Sequence, residues 1–282
     1  MIFYTQMKKE KKMKNKKTIL KIVITILAII VIALAGCLIY DKATINNQYE
    51  IGQQNLEIPI FLYHHIVKDK SQIEYDYMQT TTDTFKSQIE GLIKEGYHFI
   101  SYNDLVQYKE GNKKIYKKSC VLTFDDGYKD VYENAYPIIK DLNIPFTMFV
   151  ITDYMGTDDY MTWEEAKDMQ QSGLGLIASH SLQHNDFSKL SVEETVQNVN
   201  DSYKAIEENL GSQILKVFTY PCGVYNEEQL SALENQGYII NLTDNKINKS
   251  KSLNLYGLHR CYPLSDSLFK MNLKIIYRSI RY

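Results

Sequence analysis

Two aspartates stand side by side in Thr123-Phe124-Asp125-Asp126-Gly127, directly after the apolar run Cys120 to Phe124. Adjacent carboxylates at the end of a strand repel each other unless a cation or a proton relieves them, so the pair asks for a metal. An ordinary Asp-Gly turn would use the same pentapeptide. His180 and His184, in His-Ser-Leu-Gln-His, close a later apolar run. Two histidines four apart project from one side of a helical turn, and neutral imidazole is a borderline ligand suited to zinc. With Asp126 they make two imidazoles and one carboxylate with open positions, the pattern of a catalytic rather than a structural metal. Phe218-Thr219-Tyr220-Pro221-Cys222-Gly223 ends another run, and its Pro-X-Gly turn can present a backbone N–H to a developing oxyanion. Phe61-Leu62-Tyr63-His64-His65-Ile66 closes the first run of the body. A histidine there is either a hydrogen-bonded core residue or a general acid, since imidazole titrates near neutrality and can protonate a departing amine.

These groups need elements to bring them together. β-rich runs occur at Ile58 to Tyr63, Cys120 to Phe124, Phe146 to Ile151, Leu174 to Ser179, Ile214 to Thr219 and Tyr238 to Leu242. Between them, helical spacing covers Thr84 to Lys94, Tyr128 to Leu142, Thr162 to Gln171, Val192 to Leu210 and Glu227 to Gln236. Thr162 with Glu165 and Ser191 with Glu194 fit capping boxes, and Gly173, Gly211 and Gly237 stand where helices should stop. Near-continuous apolar strands alternating with helices predict an α/β protein with a parallel sheet, open or closed into a barrel. In either form ligands gather at the carboxyl ends of the strands, where all four motifs lie.

The 282 residues carry 32 Lys+Arg against 34 Asp+Glu, with 44% hydrophobic and 12% aromatic side chains, a composition that excludes a disordered chain. Five Pro and 13 Gly exclude collagen-like repeats, and four Cys cannot frame a disulfide scaffold of this length. Residues 1–21 hold eight Lys and one Glu, leaving 24 basic and 33 acidic side chains in the rest, a net −9 that repels phosphate backbones and argues against a nucleic-acid partner. After this basic, cytosolic arm, residues 22–40 run without a charge for about the thickness of a bilayer. The run predicts a single-pass transmembrane anchor, with everything beyond Tyr40 outside the membrane. Leu34-Ala35-Gly36-Cys37 alternatively reads as a lipobox that would lipidate Cys37. Residues 41–57 read as a polar stalk, and residues 58–282 as one domain.

Taken together, Thr-Phe-Asp-Asp-Gly at 123–127, His-Ser-x-x-His at 180–184 and Tyr-Pro-x-Gly at 220–223 resemble the polysaccharide deacetylases, the NodB-homology domain or carbohydrate esterase family 4. The resemblance implies a distorted (β/α) barrel and metal-dependent removal of N- or O-acetyl groups from polysaccharides. It makes Asp125 the base, Asp126, His180 and His184 the ligands of a divalent metal, zinc favoured, and the N–H of Cys222 the oxyanion donor. Tyr63-His64-His65-Ile66 resembles the early acid motif of the poly-β-1,6-N-acetylglucosamine deacetylase branch, so His64 is the expected acid, with His259 as runner-up. The segment around His259 also looks like a closing strand in which Arg260 is the recurrent residue. One departure stands out: many members carry Arg at the position of Thr219, paired with a later acidic motif containing Trp, to orient the base. Here that position is Thr and the chain's one Trp is Trp163.

The expected substrate is an acetylated extracellular polysaccharide, poly-β-1,6-N-acetylglucosamine favoured, with Tyr63, Tyr220 and Tyr225 near the motifs as faces for sugar rings. Peptidoglycan, chitin-like or O-acetylated glycans are the alternative. A non-catalytic glycan-binding module is a further one, which a metal set and a base together disfavour. Cys222 and Cys261 would pair only if their strands bring them close.

Overall fold

The structure, a computed structural model, describes residues 16, 18–33, 48–49, 55–74 and 78–263. The chain divides into two units, Met1–Gln48 and Tyr49–Tyr282. In the first, residues 18–33 are helical and their apolar side chains are exposed. Among the described residues no helix is long and apolar enough to cross a membrane, so the transmembrane helix expected at 22–40 has no support here. Residues 34–40, with Cys37, and most of the stalk lie outside the described residues.

The second unit is built on parallel strands β1 (Ile60–Tyr63), β2 (Ser119–Phe124), β3 (Phe146–Val150), β4 (Gly175–Ser179), β5 (Val217–Thr219), β6 (Ile239–Leu242) and β7 (Leu258–His259). They are neighbours in chain order, from β1 to β7. Just beyond β7, Cys261 bridges in parallel to Phe61 of β1, its N–H donating to the Ile60 carbonyl at 2.8 Å and its carbonyl accepting from the Leu62 N–H at 3.0 Å. That contact curls the sheet into a nearly closed, distorted barrel. The closing strand read around Arg260 is therefore present.

Side-chain parity organises the core, as the period of two along a strand requires. Ile60, Val121, Phe149, Ala178, Val217, Ile239 and Leu258 pack together in one cluster. Their neighbours Phe61, Leu122, Met148 and Ile177, together with Cys261, join another, with Phe85 and Ile89 of helix α1 (Thr82–Lys94) and Ile139 of a later helix. Helix α2 (Tyr102–Lys109), which the periodicity did not single out, closes one end of the first cluster through Tyr102 and Leu105. At the bottom of β4, a Cβ on Gly175 would lie 2.8 Å from the Met169 carbonyl, so only glycine lets the preceding helix approach this closely.

The expected helix from Tyr128 to Leu142 is a π turn, Val131–Ala135, running into α3 (Tyr136–Asp141). Pro137 explains the change: it lacks an N–H and its ring crowds the carbonyl four residues back, so the turn before it widens. Helices α4 (Trp163–Gln171), α5 (Val192–Leu210) and α6 (Glu227–Asn235) follow the expected spans within a residue. Both expected capping boxes form, and Asp69–Gln72, Ser101–Asp104 and Asn226–Gln229 add three more. The stop glycines Gly173, Gly211 and Gly237 all adopt positive φ.

Candidate active site

All the motif ends meet at the carboxyl ends of the strands, around an open cleft of about 510 Å³ lined by His64, Asp125, Asp126, His180, His184 and Cys222, among others. Parity on β2 carries Asp125 inward in line with Val121 and Thr123. Asp126 departs from the strand in the left-handed region (φ 72), which turns its carboxylate into the same cleft. Ser181, His184 and Cys222 are left-handed too, at φ 75, 54 and 55. Such backbone costs non-glycine residues of order 1 kcal/mol or more each, and its concentration around one cleft marks a functional centre.

Asp126, His180 and His184 offer one ligand atom each, all within 4.8 Å of one another. Asp126 Oδ1 lies 3.3 Å from His180 Nε2 and 3.6 Å from His184 Nε2, yet it is buried and accepts no hydrogen bond. A buried carboxylate oxygen without a donor is costly. His180 Nδ1 lies 2.9 Å from the Thr219 carbonyl, which can only accept. That fixes the proton on Nδ1 and leaves Nε2 bare toward the cleft in the neutral ring. A divalent cation fits this donor set: it would satisfy the orphaned oxygen and two imidazole nitrogens, and the mixed N/O chemistry suits zinc without excluding other first-row metals.

Charges in the cluster are strongly coupled. Burial pushes the Asp126 carboxyl up, but the imidazoles of His180, His64 and His184 outweigh it and hold the group below the usual carboxylate range. Burial pulls His180 down, and the carboxylates of Asp125 and Asp126 overcome that and raise it. Burial, then the charge of His180, lowers His184. Burial also lowers His64, against the pull of Asp125 and Asp126.

The largest addition to the sequence reading is Arg260. Its guanidinium, fully buried, grips Asp125 bidentately, Nη1 to Oδ1 at 2.6 Å and Nη2 to Oδ2 at 2.8 Å. Nη2 also donates to Thr219 Oγ1 at 2.6 Å and to Thr243 Oγ1 at 3.1 Å. Burial alone would lower the Arg260 pKa, but the Asp125 charge raises it and the cation stays charged. The cation missing from position 219 is thus supplied by the strand end that closes the barrel, and Thr219 serves it as an acceptor. A signal existed: Arg260 is the single arginine among the described residues, and the positions two away on either side, Leu258 and Tyr262, are apolar or aromatic.

Parity also separates the histidines. His64 continues the inward series of Ile60 and Leu62 and faces the cleft, its ring 6.3 Å from that of Tyr262 and nearly parallel to it. His65 points the other way, with Nδ1 2.8 Å from Asp130 Oδ2 and its ring 3.5 Å from that of Tyr128. His259, the runner-up acid, alternates with inward Arg260. It pairs with Asp244 at 2.8 Å and lines a separate depression, not the cleft.

Among the tyrosines, Tyr63 is buried against Phe85 and donates to Gln88 Oε1 at 2.8 Å, so its face is closed to sugars. Tyr220 is 1% exposed, wedged against Phe187 and Phe218, and only its edge reaches the cleft; Tyr225 stacks on it from outside the lining. The rings that do line the cleft, Tyr128, Tyr154, Tyr160 and Tyr262, escaped the sequence reading because they lie outside the motifs. Among the described cysteines, Cys261 is turned into the core while Cys222 is exposed, and the disulfide considered between them does not form.

Comparison with known proteins gives consistent results. The family described as Polysaccharide deacetylase matches residues 112–240. YxkH of Bacillus subtilis (strain 168), named for the same family, is 31% identical over 204 residues, 72% of this chain and 70% of that protein. The poly-β-1,6-N-acetyl-D-glucosamine N-deacetylase of Staphylococcus aureus (strain MSSA476) is 30% identical over 190 residues, 63% of this chain and 65% of that one. The solved Streptococcus pyogenes deacetylase PplD, in complex with acetate, superposes with a TM-score of 0.71 at 27% identity, covering 79% of this chain and 99% of that one.

Proposed function

The chain belongs to the polysaccharide deacetylase family, hydrolases of carbon–nitrogen amide bonds, and from that premise we propose that it removes N-acetyl groups from an extracellular N-acetylglucosamine polysaccharide, poly-β-1,6-N-acetylglucosamine in the first place. The staphylococcal relative supports the choice of glycan. One observation carries the chemistry: a carboxylate locked by Arg260 stands beside a second carboxylate whose buried oxygen faces two imidazoles and has no donor.

In this reading Asp126, His180 and His184 hold a divalent metal, zinc favoured, which when bound would polarise the attacking water and the acetyl carbonyl. Asp125 takes the water's proton as attack proceeds, and its bidentate partner keeps the carboxylate in one orientation through the step. The backbone N–H of Cys222, on its left-handed turn, donates to the oxygen that gains charge. His64 then protonates the departing amine, so that acetate and a glucosamine unit separate. The body works outside the membrane, held there by residues 22–40 as an anchor or by a lipid on Cys37.

Acetate release by the zinc-loaded chain from β-1,6-linked N-acetylglucosamine oligomers, compared with peptidoglycan and chitin fragments, tests the reading. Preferential release from the β-1,6 oligomers is expected. Release from peptidoglycan or chitin fragments alone would move the substrate to those glycans, and release from O-acetylated sugars alone would overturn the amide assignment.

A further inference from the structure

We propose that Tyr154 and Tyr160 form a subsite for the sugar unit next to the one that is deacetylated. The inference rests on the proposed reading of the cleft as a glycan site. Both rings line the cleft, and neither has a part in the chemistry above. They sit on the segment between β3 and α4, which folds back over the end of β2: Tyr160 bridges to Tyr128, and the Met161 N–H donates to the Gly127 carbonyl at 3.0 Å, next to Asp126. A glycan bound in this cleft with one unit at the Asp126, His180 and His184 cluster would thus lay a neighbouring unit on the two tyrosines.

The platform is built to stay in place. Tyr160 stacks on Tyr128 at 5.2 Å, Tyr128 on His65 at 3.5 Å, and His65 is tied to Asp130 at 2.8 Å. Tyr154 packs 5.1 Å from Tyr160, and its hydroxyl donates to the Gln183 carbonyl at 3.2 Å. The Gln183 side chain returns a bond to Asp153 Oδ2 at 2.7 Å, and the Asp153 N–H donates to the Leu182 carbonyl at 3.0 Å. Two half-buried rings held before binding lose little entropy when a ligand arrives. Their faces suit the C–H face of a pyranose. Asp153, Asp158 and Asp159 on the same segment are exposed and disfavour an anionic unit, so the occupant is a neutral or amino sugar.

The test uses the full metal-loaded chain with the methyl glycoside of N-acetylglucosamine, a single unit, and the β-1,6-linked hexamer. With the subsite in use, Tyr154→Ala and Tyr160→Ala lower kcat/KM for the hexamer about tenfold and for the single unit less than threefold, while Tyr154→Phe and Tyr160→Phe retain most of the hexamer's advantage. Equal losses on the single unit and the hexamer, or Phe variants as impaired as Ala variants, would overturn the subsite. Binding of β-1,6 and β-1,4 hexamers to the metal-free chain by calorimetry keeps the two proposals apart. If no oligomer is turned over, the proposed function fails on its own. The subsite then stands if a hexamer binds about tenfold more weakly to Tyr160→Ala and normally to Tyr160→Phe; it falls if Tyr160→Ala has no effect or no hexamer binds.

Discussion

In the proposed reaction Asp125 takes a proton from water and must be held in one orientation; two charge-assisted bonds from Arg260 hold it. Lysine at 260 would keep a cation but lose the fork. Arg260→Lys is therefore expected to lower kcat by about 10- to 100-fold with KM little changed, the signature of a positioning residue, as steady-state kinetics would show. Arg260→Met strands a buried carboxylate and is expected to cost roughly 3–5 kcal/mol in denaturant unfolding. His64 makes a second case. Burial holds it below its ordinary value of 6.5, and an acid acts in its protonated form. Above the pKa that form decreases about tenfold per pH unit, so kcat/KM is expected to fall as pH rises from about 6 to about 8. His64→Ala should remove that limb and cost about 10²- to 10⁴-fold; an unchanged pH profile in the variant would return the acid's role to another group.

Strand ends and their turns do the positioning. Gly127 has φ +85, and a Cβ there would meet Val150 Cγ1 at 3.2 Å. Gly127→Ala is thus expected to destabilise the domain by about 1–2 kcal/mol and to lower activity more than Gly173→Ala, whose Cβ would meet nothing, measured by unfolding midpoint and acetate release. The same strand ends explain what the sequence disclosed. Apolar-rich runs of five or six residues leading to Asp-Asp, His-x-x-x-His or Pro-Cys-Gly marked β2, β4 and β5 and their cargo, because an apolar strand and a polar terminus are both local signals. The two-residue strand Leu258–His259 has little such signal of its own; it exists through its pairing with β6 and the closure at Cys261. Arg260 rides on it, so its meeting with Asp125, 135 residues away, is a long-range fact that local pattern does not encode. The tyrosine wall was hidden for a related reason: a half-exposed ring in a loop looks the same in sequence as any surface tyrosine. The π turn before Pro137 was readable in principle, since proline forbids the regular ladder.

At the scale of the whole molecule, metal, proton and fold are linked. His180 is raised by Asp125 and Asp126, against burial, and must be neutral at Nε2 to bind a cation. Below that raised value metal binding releases a proton, so affinity is expected to weaken as pH falls through it, and calorimetry in buffers of different ionisation enthalpy should detect the proton. Without metal the sign of the stability term reverses: protonated His180 beside the carboxylates stabilises the fold at low pH, and that contribution is lost as pH rises through its folded value. Metal should then restore stability most at the higher pH. For the membrane attachment proposed on sequence grounds, cell fractionation should find the body in the membrane fraction, and removal of residues 1–40 should release it.

The most direct measurement of the central claim is acetate release during metal titration of the chelator-stripped protein, with bound metal counted in parallel. The account predicts that stripped protein releases no acetate and that one equivalent of zinc restores the rate. Asp126→Ala should bind none with comparable affinity, while Asp125→Asn binds one equivalent and stays inactive. Full acetate release by metal-free protein, or an active Asp125→Asn, would contradict it.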